Sequence, residues 1–355
     1  MIKKKKILYI VEAMGGGIFT YIVDLANELV NEYDVYIAYA VRKQTPRNYK
    51  DYFDKRIHLI KVESFRRAIN PIKDISAFFE VKKIAAEVQP DVIHLHSSKA
   101  GAIGRMAFNG EIPMFYTPHG YSFLMEDCKP VKRLIYKTIE RICAKRKCTT
   151  ISCSFGEHQE TLRLTKNAAY VNNGINMAEL QEIIGQTEKV SHPFTVYTLG
   201  RICYQKNPML FNAIAEACPM VKFVWIGDGE LREELKSKNI EVTGWVDRTT
   251  AIKYAVNADV FLLPSRWEGL PISLLESMYM KKLCVVSNVI GNSDVIHNGK
   301  NGFVCSDKKD FIEAINDAQG KVERLTEQAY QDILDIYNTK AMARQYSEIY
   351  KKLEN

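Results

Sequence analysis

Short runs of β-branched and aromatic residues alternate along this chain with longer stretches of helical periodicity, which confines it to βαβ units built on parallel sheets. Residues 7–11, 35–39, 92–95, 114–117 and 149–152 read as a first set of strands, and 195–199, 221–226, 260–263 and 284–286 as a second. Among the first set, 18–32 and 75–88 carry apolar residues at i, i+3, i+4 and i+7, the stripe of an amphipathic helix. Residues 172–192 separate the sets. Asn172-Asn173-Gly174 signals a turn there and a polar stretch runs on to His192-Pro193, so the segment is predicted to be a linker. The expected fold is α/β, with two Rossmann-like doubly wound domains at 1–175 and 176–338. Such domains bind ligands at the carboxyl ends of their strands, and two of them facing each other leave a cleft for a small molecule. The last stretch, 339–355, is predicted as a polar amphipathic helix that packs back on the first domain.

At 355 residues the chain has the length of two ordinary domains. No run approaches the roughly 18 apolar residues of a membrane-spanning helix. Lys3 to Lys6 start as a signal peptide does, but the apolar run behind them is broken at Glu12 and meets Gly15-Gly16-Gly17. We read it as a strand and the chain as cytoplasmic. Eight cysteines without a C-x-x-C pair indicate neither a disulfide framework nor a zinc site, and are expected as small buried hydrophobes. The net charge of +7 is uneven. Residues 1–175 carry 28 Lys and Arg against 18 Asp and Glu, a net +10, whereas 176–355 carry 21 against 24, a net −3. Such a half suits an anionic partner, nucleic acid or an acidic membrane surface, although solubility alone would also explain it. The basic region has no nucleic-acid recognition motif and no interleaved aromatics, so nucleic acid is not expected.

Chemistry is expected in the loops that follow the strands. Gly15-Gly16-Gly17 comes after the first, where absent Cβ atoms let a ligand approach and a helix N-terminus offers free N–H groups; an ordinary tight turn would look the same. Position 20 is Thr and no acidic residue ends the second strand, which argues against a nicotinamide cofactor. His94 and His96 alternate onto one side of a strand, as core histidines satisfied by backbone groups would. His119 differs, because Pro118 and Gly120 hold it on a loop at a strand end, where it can bond a ligand. After the strand at 195–199 come Arg201 and then Lys206, beside Asn207-Pro208, two cations leading into a helix start and a pocket for a diphosphate. Gly227-Asp228-Gly229-Glu230 follows the next strand and is predicted to begin another helix, where backbone meets a phosphate or a base.

The segment 264–276 is the most specific. Glu268 lies on a Gly-Pro loop and Glu276 one or two turns inside the following helix, a spacing that lets both face one ligand. A carboxylate accepts two hydrogen bonds at once and suits the paired hydroxyls of a sugar or ribose, while N–H groups over 269–272 can meet phosphate oxygens.

This stretch resembles the E-x7-E signature of retaining glycosyltransferases of the GT-B fold, most closely glycosyltransferase family 4 of the bacterial surface-polysaccharide type. The resemblance runs over nearly the whole chain. The Gly-rich loop at 15–17, Thr117 with His119-Gly120, Gly200-Arg201 followed by Lys206, Gly227-Asp228-Gly229, Gly244-Trp245-Val246 and the turn at 299–302 occur in family order. It implies two Rossmann-like domains across a cleft and transfer of a hexosyl or N-acetylhexosaminyl group. The donor would be a nucleotide sugar, expected to be a UDP-sugar, and the acceptor lipid-linked or saccharide, in capsule, O-antigen or exopolysaccharide assembly. By the same resemblance Arg201 and Lys206 neutralise the donor diphosphate and Glu276 holds the ribose hydroxyls. Glu268, with the backbone of Gly269, Leu270 and Pro271 beside it, touches the transferred sugar, and His119 contacts that sugar near the reacting carbon. Gly16 and Gly17 line the sugar and diphosphate, Gly227 and Asp228 stand on the donor side, and Trp245 and Val246 lie where the base is bound. No metal or other cofactor is expected, since cationic side chains take that place. Two departures stand out: Met280, Lys281 and Leu283 occupy positions where the family has a small residue, a Gly and a Pro, and Gly291-Asn292 replaces a Gly-Gly pair, with an expected effect on donor positioning. The alternative is a nucleotide-sugar 2-epimerase, which shares the architecture but lacks the E-x7-E arrangement. A nucleotide-binding protein without turnover is a third reading.

Residues 131–147 hold the basic excess most densely. Leu134, Ile135, Ile139 and Ile142 form one helical stripe, with Lys132, Arg133, Lys137, Arg141, Lys145, Arg146 and Lys147 around it. Either the stripe packs into the domain and the cations are merely solvated, or the helix lies on an anionic membrane as an acceptor-side surface and attaches the enzyme peripherally to the inner face of the cell membrane. Arg66-Arg67 and Lys3 to Lys6 are expected to add to the same face.

Overall fold

The computed structural model, which describes residues 3–42, 44–66, 70–318, 320 and 322–352, contains two separate parallel sheets. The first unit reaches Asn173. Its elements are β1 (Lys5–Met14), α1 (Gly16–Leu29), β2 (Tyr33–Val41), β3 (His58–Lys61), α2 (Pro71–Val88), β4 (Val92–His96), α3 (Ser98–Ala107), β5 (Met114–Thr117), α4 (Pro130–Cys143), β6 (Thr149–Ser152), α5 (Phe155–Leu162) and β7 (Ala168–Tyr170). The strand order is β3-β2-β1-β4-β5-β6-β7, so the winding reverses between β1 and β4. The register sets Tyr9 beside His94 and His96 beside Thr117.

The second unit runs from Gly174 to Asn338. It comprises α6 (Met177–Gly185), β8 (Thr195–Leu199), α7 (Pro208–Ala217), β9 (Lys222–Ile226), β10 (Ile240–Val242), α8 (Arg248–Val256), β11 (Val260–Leu263), α9 (Ile272–Tyr279), β12 (Leu283–Ser287), β13 (Phe303–Cys305), α10 (Lys308–Asp317) and α11 (Glu323–Asp335). The order β10-β9-β8-β11-β12-β13 reverses between β8 and β11. The chain then returns to the first unit as α12 (Thr339–Lys352); residues 353–355 of the predicted helix lie outside the described residues. Met342, Ala343, Tyr346 and Tyr350 of α12 join the core on the α1 side of the sheet, and each large apolar side chain so buried is worth about 2 kcal/mol.

Several expectations need correction. The predicted linker at 172–192 contains α6, whose start is capped by Asn176 accepting from the Glu179 N–H at 3.3 Å and whose Leu180 and Ile183 are buried. β1 continues through Glu12 because burial of that carboxylate is balanced by the Arg42 guanidinium, and the strand shifts register between Val11 and Met14. α2 starts at Pro71 rather than at 75, since the Asn70 side chain accepts from the Lys73 N–H at 3.0 Å and Pro71 fits the first turn. The short outer strands β3, β7, β10 and β13 extend both sheets beyond the strands read from the sequence. None of the eight cysteines forms a disulfide; seven are buried and Cys128 is half-buried.

The helix read over 131–147 is α4 and stops at Cys143, so Lys145 lies in the turn beyond it. Its apolar stripe does not pack into the domain. Val131, Leu134, Ile135, Ile139 and Ile142 are exposed, Leu134 by 61% and Ile142 by 55%, and only Glu140 and Cys143 are buried. Glu140 anchors the helix, accepting from Arg105 Nη2 at 2.7 Å and from the Tyr116 hydroxyl at 2.9 Å. The other basic runs do not join one face. Lys4 and Lys6, at the amino end of the sheet, donate to the carbonyls of Val30 and Val88. Arg66 follows β3 at the carboxyl end, and Arg67 lies outside the described residues. Among the described residues no helix is long and apolar enough to cross a membrane.

Candidate functional site

In a doubly wound sheet the ligand crevice forms where the strand order reverses, because the loops on either side diverge there. In the second unit that point lies between β8 and β11, and the two loops that leave it are tied together. Lys206 ends a single 3-10 turn after β8 and donates from Nζ to Glu268 Oε1 at 2.7 Å, in the loop after β11. Gln205 Nε2 donates to the Trp267 carbonyl at 2.9 Å, and the Arg266 N–H donates back to the Gln205 carbonyl at 2.8 Å. Lys206 and Glu268 are both largely buried, and charges so placed need a partner.

Glu276 sits in α9, as expected, and its partner is one the sequence did not suggest. Arg248, at the start of α8, donates from Nη1 to Glu276 Oε1 at 2.5 Å and from Nε to Glu179 Oε1 of α6 at 3.0 Å. Burial opposes the charge on this guanidinium, but the two carboxylates outweigh it and hold its pKa above the usual value. Its Nη2 is buried without a hydrogen-bond partner among the described residues. Arg201 is freer: its side chain is half-buried, and its nearest acidic neighbour, Glu230, is 4.0 Å away.

Gly227-Asp228-Gly229-Glu230 does not open an α-helix. An irregular loop leads instead to a single 3-10 turn at Arg232–Glu234. The cause is close backbone packing. The Ile202 N–H donates to the Asp228 carbonyl at 2.9 Å, and a Cβ on Gly227 or Gly229 would collide with the carbonyl oxygen of Gly200 or Ile202. Asp228 spends its carboxylate inside the loop, on the Gly229 N–H at 2.8 Å and on Arg232 at 2.9 Å. A bridge from Gly227 to Gly244 brings the Gly244-Trp245-Val246 segment alongside, with Trp245 exposed. In the loop after β11, Gly269 packs so closely on Gly291 that a Cβ there would strike its carbonyl oxygen, and Leu270 is buried. Pro271 precedes α9 with no side-chain cap, and being a proline it is the one member of 269–272 without an N–H. The two departures also find their places. Lys281 takes the left-handed conformation, φ 55°, that explains a glycine elsewhere, and Asn292 is fully buried, donating to the Ser287 hydroxyl at 3.1 Å.

In the first unit the reversal lies between β1 and β4. Gly16 opens α1 at φ 57°, and a Cβ on Gly16 or Gly17 would meet nothing within 4 Å, so conformation rather than crowding asks for the first glycine. His94 and His96 are core residues, but the hydrogen-bond partners of their rings are side chains rather than backbone groups. His94 contacts the Tyr350 hydroxyl at 2.6 Å through Nδ1 and Thr117 Oγ1 at 2.9 Å through Nε2. His96 Nδ1 lies 3.1 Å from Nε2 of His119, the ring placed on the loop after β5. Burial drives the pKa of His94 and His96 well below the usual value and that of His119 to about 3, so all three are neutral at physiological pH.

Comparison with known proteins accords with this geometry. Residues 15–179 match the profile of Glycosyltransferase Family 4 and residues 193–319 that of Glycosyl transferases group 1. The UDP-Gal:alpha-D-GlcNAc-diphosphoundecaprenol alpha-1,3-galactosyltransferase of Escherichia coli is 33% identical over 302 residues, 75% of this chain and 76% of its own. The N,N'-diacetylbacillosaminyl-diphospho-undecaprenol alpha-1,3-N-acetylgalactosaminyltransferase of Campylobacter jejuni is 24% identical, covering 84% of this chain and 87% of its own. Among solved structures, sucrose-phosphate synthase from Thermosynechococcus elongatus superposes with a TM-score of 0.83 at 16% identity, over 99% of each chain. Anabaena Alr3699/HepE in complex with UDP and glucose gives 0.77 at 15%, over 98% of this chain and 100% of its own. The fold is that of the GT-B glycosyltransferases. The chain belongs to glycosyltransferase family 4 and is a glycosyltransferase.

Proposed function

We propose that this enzyme transfers a hexosyl or N-acetylhexosaminyl group, with retention at the anomeric carbon, from a UDP-sugar to a lipid-linked saccharide in the assembly of a bacterial surface polysaccharide. The observation that carries the reading is the Lys206–Glu268 pair at the switch point between β8 and β11, in a chain one-third identical to a transferase whose name specifies a UDP-sugar and an undecaprenyl-linked acceptor. Arg201 and Lys206 take the diphosphate and stabilise the charge that develops as it leaves, with no metal cofactor. Glu268 and the backbone at Gly269, Leu270 and Pro271 hold the sugar, Glu276 the ribose, and Gly227, Asp228, Trp245 and Val246 the nucleoside side. In the first unit Gly16 and Gly17 line the sugar and diphosphate, and His119 contacts the sugar. The relatives named above are transferases, which leaves the 2-epimerase alternative without support. Incubation with a panel of UDP-hexoses and an undecaprenyl-diphosphate saccharide tests it: UDP release that requires the acceptor supports transfer, and conversion of the donor in its absence contradicts it.

The acceptor's lipid implies a surface, and α4 supplies one. Its exposed stripe is flanked by Lys132, Arg133, Lys137 and Arg141, with Lys145 just beyond. α2, which like α4 packs on α3, exposes Ile72, Ile75 and Phe79. Each large apolar side chain left in water forgoes about 1.5–3 kcal/mol of burial, and each cation near an anionic surface adds about 1 kcal/mol. We therefore place the enzyme peripherally on the cytoplasmic face of the membrane. Sedimentation with phosphatidylglycerol vesicles at low salt, weakened by high salt and by Leu134→Ser with Ile142→Ser, is the expected result; non-binding at either salt concentration contradicts it.

A further inference from the structure

Among the described residues of the first unit the His119 ring has one hydrogen-bonding contact, and it is another imidazole. The rings of His96 and His119 lie nearly parallel, 24° between planes and 5.4 Å between centroids, with His96 Nδ1 3.1 Å from His119 Nε2. His96 Nε2 is buried with no hydrogen-bond partner among the described residues. A neutral imidazole carries one N–H, so this contact admits two arrangements. In one, His96 Nδ1–H donates to His119 Nε2, and His119 keeps its own proton on Nδ1. In the other, His119 Nε2–H donates to His96 Nδ1, and His96 buries its remaining N–H without an acceptor. Among main-chain groups a buried N–H lacking an acceptor is rarer than an under-satisfied carbonyl, and the same preference favours leaving the His96 ring with a bare nitrogen over leaving it with an orphaned N–H.

We infer that His96 is a positioning residue that fixes the tautomer of His119, so that His119 presents an Nδ1–H donor beyond the carboxyl end of β5. This rests on the assignment of His119 to the donor sugar and sharpens it: His119 grips an oxygen of the donor by donating a hydrogen bond, and takes no proton from the acceptor hydroxyl. The surroundings hold that pose. His119 has φ 56°, a left-handed conformation that a non-glycine residue keeps only where its neighbours over-determine it. The Gly120 N–H donates to Glu157 Oε1 at 2.6 Å, while the other oxygen of Glu157 accepts from the Cys153 N–H at 2.8 Å. Tyr21 meets the His119 ring edge-on at 4.5 Å and donates to the Tyr346 hydroxyl at 2.6 Å. His94 reaches Tyr350, so α12 closes the network from behind.

The test is 15N NMR of the full chain labelled at histidine, with the His119 signals assigned by their loss in His119→Asn. Protons on Nδ1 of both His96 and His119 are expected. A proton on Nε2 of His119 overturns the inference, whether or not the chain transfers sugar, so this failure is separable from failure of the proposed function. Two variants show whether His96 sets the state. His96→Phe keeps a ring in contact but removes the donor, and His119 should then lose Nδ1–H as its dominant form. His96→Asn, whose amide nitrogen can donate from nearly the same place, should retain it. An unchanged His119 tautomer in both variants overturns the role of His96, and the wild-type spectrum decides alone if the phenylalanine variant does not fold.

Discussion

At the carboxyl ends of β8 and β11 the second unit sets charge against charge, Lys206 on Glu268 and Arg248 between Glu276 and Glu179. At the carboxyl ends of β4 and β5 the first unit sets neutral imidazoles against hydroxyls and one another. The proposed roles account for the difference. A site for a diphosphate needs cations whose position is set before the ligand arrives, and in a largely buried crevice those cations need carboxylates to rest on. A group that grips a sugar oxygen needs a fixed direction more than a charge, and a buried neutral network supplies direction that salt does not screen.

Substitutions should separate the two designs, and the largest effect belongs to the cations. Arg201→Ala or Lys206→Ala is expected to lower kcat by about 100-fold or more, the usual consequence of losing one preorganised contact to developing charge; unchanged steady-state turnover in either variant refutes the assignment. Arg248→Met comes next. It leaves Glu276 and Glu179 without their cation, and KM for the donor should rise about tenfold, the factor of one charge-assisted hydrogen bond.

Acid should find the first unit before the second. Folded His94, His96 and His119 bind protons only well below the usual imidazole range, His119 near 3. Between those values and about 6.5 the unfolded chain therefore holds more protons, and stability falls as pH drops through that window. Calorimetric Tm should decline from pH 7 to pH 5 by an amount that added salt hardly changes; a flat profile contradicts the neutral network. The smallest effect is expected on α4, where Leu134→Ser with Ile142→Ser should change stability by no more than about 0.5 kcal/mol, because neither side chain is packed.

How much of this was written in the sequence depends on range. Strands β5, β6, β8 and β11 were legible to the residue, since a strand covered on both faces is a continuous apolar or β-branched run. β3, β7, β10 and β13, with three or four residues each, take their form from a neighbour's edge and carry no such run. The site divides in the same way. Lys206, Glu268 and Glu276 were visible because glycine, proline and spacing mark their loops. Gln205 was hidden beside Lys206, and its role appears only when the β11 loop returns to meet it. Arg248 and Glu179 come together from 69 residues apart, and Glu179 lies in a stretch whose polar composition reads as a linker. His96 alternates like any core residue, and only the register of β4 with β5 brings it to His119.

Calorimetric titration with UDP tests the division of labour most directly. Affinity should fall sharply when Arg201 and Lys206 are both replaced by alanine and stay within about twofold of the wild type in His119→Asn, whose contact to the sugar is at most an ordinary hydrogen bond absent from UDP. Equal weakening in both proteins, or wild-type affinity without Arg201 and Lys206, would contradict a nucleotide site held by the second unit's cations.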